Sequence, residues 1–146
     1  MRLSSTTIVF LDANVVMYAA GSEHLYRTPS QNILQAVARG ELTAAIDVEI
    51  IQEILHRYGA QQRFTEAITV ANDLLTLVSF VYPITLSDIQ RAMTLFQQHA
   101  EQGLKARDAL HAAVMLNNNL VYIISADRHF DLIQGIQRID PLSYST

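Results

Sequence analysis

The chain has 146 residues, of which 50% are hydrophobic, and carries a net charge of −4 and no cysteine. This length suits one globular domain with its own core, and the composition excludes a disordered chain. The absence of cysteine excludes disulfides, thiol nucleophiles and zinc–thiolate sites, and the negative charge means that a polyanion would need a local basic patch or a bound cation.

The predicted elements alternate between strand and helix. The apolar run Ile8–Leu11 predicts a buried central strand, and the run 121–124 predicts another. Further strands are expected at 43–46, at 77–82 (also buried) and, on an edge, at 137–139. Helices are expected at 15–20, 29–39, 48–58, 61–75, 87–101 and 106–116, and a short helix or turn at 128–134. This alternation predicts an α/β fold with a parallel sheet.

Capping signals predict where several helices begin. Thr28 followed by Pro29 is typical of an N-cap with proline at the first helical position. Asp47 is placed to cap the helix at 48–58. Ser87 with Gln90 three residues later has the spacing of a capping box.

The N-terminal stretch is apolar after a basic residue, as in a secretion signal. However, Asp12 and Asn14 fall inside its apolar part, which argues against export. No other run suits a membrane span, because 74–87 is too short and 109–126 is interrupted by polar side chains. We therefore predict a cytoplasmic protein with no membrane partner.

Two aspartates follow the two clearest strands. Asp12 comes directly after Ile8–Leu11, and Asp127 comes shortly after the strand at 121–124. Open parallel sheets bind ligands at the carboxyl ends of their strands, so neighbouring strands would bring these carboxylates together. Such a pair repels unless a metal ion or a proton intervenes. The alternative is that each aspartate is an ordinary turn residue or helix cap.

Three further acids are candidates for the same site. Glu53 borders the apolar stripe of its helix, where a carboxylate usually has a partner, although a solvated position is the simpler interpretation. Asp108 lies in the first turn of its helix, where an acid commonly stabilises the helix N-terminus. Asp131 is the third candidate. His111 lies among apolar residues, and we favour a packed, hydrogen-bonded histidine over a base or a metal ligand.

The residue types favour a particular metal chemistry. Asn14 and Ser125 flank the strand-end aspartates and can hydrogen-bond a carboxylate or a metal-bound water, unless they are ordinary turn residues. Oxygen ligands without cysteine or a histidine cluster suit Mg²⁺ or Mn²⁺ rather than zinc. A two-metal site can bind a phosphodiester, generate hydroxide from water and stabilise the leaving oxygen.

Four motifs, in this order along the chain, resemble those of the PIN-domain nucleases, and most of all the VapC toxins of type II toxin–antitoxin pairs. They are FLDAN at 10–14, IQEIL at 51–55, ARDALHAA at 106–113 and SADRHFD at 125–131. The resemblance implies one PIN-like domain over 1–146, a three-layer fold whose central parallel sheet has the order 3-2-1-4-5 and is flanked by helices. It also implies an endoribonuclease dependent on Mg²⁺ or Mn²⁺, which acts on RNA, forms a homodimer and is inhibited by an antitoxin protein.

The resemblance also assigns roles by position. It implies a catalytic and metal-binding quartet of acids, namely Asp12, Glu53, Asp108 and Asp127. Asn14 and Ser125 would support this quartet. The sequence departs from the family pattern at Ala13, where Thr or Ser is frequent, and at His129, where an acid is common. The second departure leaves any fifth carboxylate to Asp131.

Alternatives to a nuclease stay open at this point. A PIN scaffold without activity would bind RNA or a protein partner, but degenerate members lose quartet acids and here all four positions are filled. A haloacid-dehalogenase-type phosphatase would need an aspartate at the position of Asn14. The helices around 33–37 and 64–75 carry more apolar residues than a thin sheet can cover. If these residues do not simply pack inside the domain, they predict an interface.

Overall fold

The structure is a computed structural model that describes residues 3–144. Within this range five parallel strands form one sheet in the order β3-β2-β1-β4-β5. The strands are β1 (Ile8–Leu11), β2 (Thr43–Asp47), β3 (Phe80–Tyr82), β4 (Tyr122–Ile124) and β5 (Gln137–Ile139). The predicted α/β class and strand order 3-2-1-4-5 are therefore confirmed.

Six α-helices of residues 3–144 flank this sheet. They are α1 (Ala13–Ala20), α2 (Arg27–Ala38), α3 (Val48–Ala60), α4 (Phe64–Leu77), α5 (Leu86–His99) and α6 (Ala106–Asn117). Short 3₁₀ helices lie at Ala100–Gln102, Arg128–Leu132 and Pro141–Ser143. Along the chain the helices pack in pairs, α1 with α2, α3 with α4 and α5 with α6. None of the helices in the described range has the length and apolar character needed to cross a membrane.

The position of β1 explains both its composition and the location of Asp12. This strand lies between β2 and β4, and Val9, Phe10 and Leu11 are completely buried, as expected for a central parallel strand. Leu11 pairs with Ile124 of β4. Consequently the next residue of each strand, Asp12 and Ser125, leaves the sheet beside the other.

The helix caps agree with the sequence in one case and differ in another. The Asp47 carboxylate accepts a hydrogen bond from the backbone N–H of Ile50 at 3.1 Å, which confirms the predicted cap of α3. The capping box of α5 is formed by Thr85 and Asp88, whereas the sequence pattern placed it at Ser87. The Asp88 carboxylate accepts from the Thr85 backbone N–H at 2.9 Å. An acid at the third helical position thus performs the role that the sequence assigned to a glutamine.

Several predicted helix boundaries also differ from the structure, among them the helix predicted at 61–75, which is observed at Phe64–Leu77. Helix α2 begins at Arg27, so Thr28 lies inside its first turn rather than at the N-cap. Helix α3 continues past Gly59 to Ala60, because the chain turns only afterwards. Gln62 provides that turn with a positive φ of 59°. A glycine near a helix end is therefore an approximate marker of the boundary.

Strand β3 is shorter and more exposed than the predicted buried strand at 77–82. It pairs only with β2 and forms an edge of the sheet. Phe80 and Val81 are 43% and 40% exposed. An apolar run alone does not distinguish an edge strand from a central one, so the predicted burial was wrong here.

Candidate active site

A polar cavity of about 360 Å³ opens at the carboxyl ends of the central strands. The four acids predicted from the sequence all line it, although they come from different elements. Asp12 follows β1, Glu53 lies on α3, Asp108 is in the first turn of α6 and Asp127 follows β4. We call this cavity the acidic cavity; its remaining lining residues are Asn14, Arg57, Lys105 and Arg107.

Ser125 is the hub of the hydrogen bonds that hold the two strand-end aspartates. Its hydroxyl donates to Asp12 Oδ2 at 2.7 Å and accepts from the backbone N–H of Asp127 at 3.0 Å. The Asn14 amide donates to Asp12 Oδ2 at 3.3 Å and to the Ser125 hydroxyl at 3.2 Å. The other oxygen of Asp12 accepts from the backbone N–H of Ala13 at 2.7 Å. Asn14 and Ser125 therefore lie where they can orient a carboxylate.

His111 lies directly behind the acidic cavity and is completely buried. Its Nδ1 lies 2.7 Å from Asp47 Oδ2, and its Nε2 lies 3.7 Å from Glu53 Oε1, which is too long for a hydrogen bond. Burial lowers the pKa of His111, but Asp47 and Glu53 raise it more, so the pKa reaches about 10 and the ring is protonated. The prediction of a packed, hydrogen-bonded histidine is confirmed.

Asp47 has a second role that the sequence did not indicate. One of its carboxylate oxygens caps α3, and the other holds His111. Both side chains are fully buried. The pair thus places a buried positive charge on His111 next to Glu53 of the acidic cavity.

The four acids differ in their affinity for protons. Burial raises the pKa of Asp12. Burial also raises the pKa of Asp108, and with the hydrogen bond to Asp127 and the charge of Asp12 it brings that pKa to about 8. For Asp127, burial is outweighed by its hydrogen bonds with Asp108 and with the backbone of His129, which lower its pKa. Glu53 likewise has a lowered pKa, because His111 counteracts its burial.

These carboxylates fit a hard divalent cation. Asp108 Oδ2 is buried and has no hydrogen-bond partner within residues 3–144, so a cation would satisfy it. Candidate ligand atoms within 4.8 Å of one another occur in two groups, Asp12 with Glu53 and His111, and Asp108 with Asp127 and His129. Since the protonated His111 ring carries a proton on each nitrogen and has no lone pair for a cation, Asp12 and Glu53 are the available donors of the first group. Oxygen donors of this kind suit Mg²⁺ or Mn²⁺.

His129 lies next to the site although the sequence indicated only that an acid was missing there. Its Nδ1 lies 2.8 Å from Asp127 Oδ1, and its backbone N–H donates to the same oxygen at 2.9 Å. Gly103, with a φ of +104°, allows this position, since a Cβ there would lie 2.6 Å from His129 Nε2. A side chain at position 103 would therefore push the imidazole away from Asp127.

Three cations surround the mouth of the acidic cavity, and the sequence analysis did not identify them. The Nη1 atom of Arg107 lies 3.4 Å from Glu53 Oε2, and the Nη2 atom of Arg57 lies 3.6 Å from the same oxygen. Lys105 precedes α6. Both arginines keep a third to a half of their side chains exposed. They provide the local basic patch that a protein with a net charge of −4 needs to attract a polyanion.

Asp131 is not brought into the acidic cavity. Its half-exposed carboxylate forms a two-point ion pair with Arg138, with distances of 3.0 Å from Nε to Oδ1 and 3.3 Å from Nη2 to Oδ2. Arg138 also donates to the backbone carbonyl of Ser125 at 3.0 Å. Any effect of Asp131 on the site would therefore pass through Arg138 and the backbone.

Comparison with known proteins gives a consistent assignment. The PIN domain family model matches residues 9–136. Ribonuclease VapC13 of Mycobacterium tuberculosis is 37% identical over 133 residues, which cover 90% of this chain and 99% of that protein.

Among solved structures, VapC20 of the same species, a sarcin-ricin-loop-cleaving toxin, superposes with a TM-score of 0.73 at 17% identity, covering 89% of this chain and 97% of that one. VapBC2 of Rickettsia felis, bound to a DNA fragment from its promoter, gives a TM-score of 0.71 at 16% identity, covering 91% and 98%. The two structures share the fold, and the sequence matches establish that this chain belongs to the PIN-domain family and, within it, to the VapC ribonucleases.

Proposed function

We propose that this protein is an endoribonuclease that hydrolyses RNA phosphodiester bonds with Mg²⁺ or Mn²⁺ in the acidic cavity, and that it is the toxin of a toxin–antitoxin pair. The observation that carries this proposal is the convergence of four carboxylates from four elements on one cavity. The buried oxygen of Asp108 that lacks a partner supports a cation there. The ribonuclease names of its sequence relatives support RNA as the substrate.

The residues of the cavity divide the work between them. The quartet acids, Asp12, Glu53, Asp108 and Asp127, would hold the cation. A bound Mg²⁺ or Mn²⁺ supplies Lewis-acid polarisation of the phosphate and an activated water. Ser125 and Asn14 orient the Asp12 carboxylate, and the positive charge of His111 offsets the negative charge of Glu53 behind the cavity. Arg57, Lys105 and Arg107 can bind phosphates on either side of the cleaved bond.

The alternative of a silent PIN scaffold has less support. A silent scaffold requires no particular arrangement of acids, yet here every quartet position carries an acid that lines the same cavity. The phosphatase alternative is set aside by the membership in the PIN-domain family. A silent scaffold would still bind RNA through Arg57, Lys105 and Arg107, so cleavage rather than binding distinguishes the nuclease from the silent scaffold.

The experiment is to incubate the purified protein with cellular RNA in Mg²⁺, in Mn²⁺ and in EDTA, and to map the fragment ends. Attack by water on the phosphorus, with the 3′-oxygen as the leaving group, predicts fragments with 5′-phosphate and 3′-hydroxyl ends, formed only with metal. Cleavage in EDTA, or 2′,3′-cyclic phosphate ends, would contradict a metal-dependent hydrolysis. Intact RNA in every condition would favour the silent scaffold.

An antitoxin has a suitable place on the molecule. An apolar groove of about 340 Å³ lies between α1, α2 and α4, and Leu34, Val70 and Leu77 line it with partly exposed side chains. The predicted exposure of 33–37 is thus confined to Leu34 and Gln35 in this groove, because Ile33 and Val37 are buried. We propose that an amphipathic segment of the antitoxin occupies this groove, in the manner of a helix bound in a groove.

A second apolar surface supports the proposed homodimer. Met93 and Phe96 on α5 are 65% and 43% exposed and border a cavity of about 500 Å³ that Leu110 of α6 also lines. Light scattering should therefore report a dimer for the parent, and Met93→Asp should shift the protein towards the monomer. Leu142→Asp, which changes an exposed apolar residue outside α4 and α5, is the matched control. A parent that stays monomeric at high micromolar concentration would contradict the dimer.

A further inference from the structure

Three aromatic rings form a cluster beside the acidic cavity, and each ring contacts the other two. Tyr18 lies in α1, and His24 and Tyr26 lie in the segment that leads into α2. The ring centroid of Tyr18 lies 4.6 Å from that of His24 and 5.1 Å from that of Tyr26. The ring plane of Tyr18 is inclined by only 22° to that of His24 and by 23° to that of Tyr26. The three rings therefore lie nearly parallel.

Two hydrogen bonds of Tyr26 hold the ring cluster in place. The Tyr26 hydroxyl donates to Asp140 Oδ2 at 3.2 Å, and its backbone N–H donates to His24 Nδ1 at 3.1 Å. His24 is nevertheless exposed, and Tyr18 is partly exposed. A cluster that only fastened the loop would not need an exposed ring on its outer side. Rigid, partly exposed aromatic rings are the groups on which unpaired bases stack.

A cavity of about 270 Å³ lies against these rings, and we call it the ring pocket. Tyr18 and His24 line one part of it, and Ser22 adds a hydroxyl. Asn14 and Arg57 line both the ring pocket and the acidic cavity. The two cavities are therefore neighbours along α1 and α3, and a chain of nucleotides could occupy both.

Arg57 connects the two cavities by charge. Its guanidinium lies 3.6 Å from Glu53, and its side chain is 51% exposed. An arginine at this point can contact the phosphate that joins a nucleotide in the ring pocket to the scissile phosphate, because its planar fork matches phosphate oxygens. An apolar protein segment would gain nothing from this charge.

We propose that the ring pocket binds the base of an unpaired RNA nucleotide next to the scissile phosphate, by stacking on Tyr18 and His24, and so selects where the RNA is cut. This inference rests on the proposed ribonuclease function. Stacking tolerates every base but favours large ones, whereas Ser22 and His24 supply polar atoms for hydrogen bonds with a base edge.

The test is a cycle of abasic RNA and ring variants. The cleavage site of the parent is first mapped, and a single-stranded RNA of about twelve nucleotides spanning it is made, with one abasic nucleotide at each of the two positions on either side in turn. Binding is measured by fluorescence anisotropy in EDTA, where no cleavage occurs. One abasic position should weaken binding to the parent by roughly 5- to 150-fold, which corresponds to about 1–3 kcal/mol for a single stacked base. The variants Tyr18→Leu and His24→Leu should weaken binding of the intact RNA but remove the sensitivity to that position.

Two controls keep the interpretation specific. Tyr82→Leu disrupts another stacked pair, Phe80 with Tyr82 at 6.3 Å on β3, and should leave binding unchanged. Tyr18→Phe keeps the ring and should bind like the parent. Circular dichroism must show that the ring variants are folded. If Tyr18→Leu is unfolded, the result for His24→Leu alone decides the test.

Several outcomes would overturn the proposal. Equal binding of all the abasic RNAs by the parent would overturn it while leaving the nuclease function intact, provided that the parent cuts RNA with metal. Ring variants that bind RNA normally but no longer bind the antitoxin would assign the pocket to the protein partner. If the parent cuts no RNA under any condition, the proposed function itself fails.

Discussion

The acidic cavity is lined by charged and polar side chains and the apolar groove mainly by apolar ones, although α1 contributes residues to both. Asn14 faces the cavity, whereas Val16 lines the groove. The cavity crowds four carboxylates, which raises the free energy of the folded protein because like charges repel. The groove leaves apolar side chains only partly covered, which forgoes hydrophobic stabilisation. Each region is thus a place where the isolated protein is less stable than it could be, and each suits a different ligand, a cation or an apolar segment.

The largest expected effect concerns cleavage in the acidic cavity. Asp12→Asn removes a charged ligand but keeps the shape, so RNA cleavage should fall by about a thousandfold or more, roughly 4 kcal/mol in activation free energy. The matched control is Asp131→Asn, an identical change outside the cavity, which should keep most of the activity. Equal loss of cleavage rate in the two variants would show that the cavity is not the site of the reaction.

The next effect concerns stability behind the cavity. Asp47→Asn keeps an N-cap for α3, since Asn caps helices as well as Asp does, but leaves the buried His111 without its charged partner. Breaking a buried pair in this way should lower the free energy of unfolding by roughly 3–5 kcal/mol. Urea denaturation measures it, and Glu41→Gln, in the exposed pair with Arg39, should have no measurable effect.

The same pair gives a direction for the pH dependence of stability. The pKa of His111 is about 10 in the folded protein and 6.5 in the absence of such interactions. Its contribution to stability is therefore fully present below about pH 6.5 and is lost as the pH rises through about 10. Urea denaturation of the metal-free protein between these values should show this decline in the parent and a weaker one in Asp47→Asn. A parallel decline in both proteins would contradict the assignment to this pair.

A smaller effect is expected from metal binding. A cation that binds only the folded state should raise the free energy of unfolding by about 2.7 kcal/mol at a concentration of a hundred times its Kd. Thermal denaturation with and without Mg²⁺ or Mn²⁺ should show a smaller increase in Tm for Asp127→Asn than for the parent. Asp131→Asn should behave like the parent. If Asp127→Asn and the parent gain equally, the cation binds elsewhere.

The smallest effect on the isolated protein is expected in the groove. Leu34→Asn removes a partly exposed apolar contact, so the free energy of unfolding should change by only about 1 kcal/mol. Binding of the co-expressed antitoxin, measured by calorimetry, should nevertheless weaken strongly, while cleavage by the free protein stays unchanged. Leu75→Asn, on α4 but outside the groove lining, is the control. Comparable antitoxin binding by the Leu34 variant and the parent would place the antitoxin elsewhere.

The sequence was sufficient for the parts of the site that depend on local pattern. Asp12 and Asp127 could be located because each follows an apolar strand, and the strand order followed from the family resemblance. The edge position of β3 could not be seen, because burial depends on which strands pair with it. The cap of α5 lies at Thr85 and not at Ser87, which shows a similar limit, since each of these residues is followed three positions later by a polar side chain.

The electrostatic surroundings of the acids could not be predicted, because they depend on pairs distant in sequence. Asp47 and His111 are separated by 64 positions, and nothing in either local sequence indicates the other. Arg107 reaches Glu53 from α6. Arg57 is different, since it lies four residues after Glu53 on α3 and helical spacing could have indicated this pair. His129 approaches Asp127 because Gly103 leaves space, a relation that appears only in three dimensions.

The hydrogen bond between Ser125 and Asp12 has a consequence for the cell that makes this protein. Its two partners are 113 positions apart, so they can meet only after β4 has been synthesised and has paired with β1. An unfinished chain on the ribosome already carries Asp12 and Glu53 but lacks the residues that orient the first of them. A nascent chain that ends before β4 also lacks Asp127, so we expect the complete quartet, and with it the proposed cleavage of RNA, only after translation has passed β4.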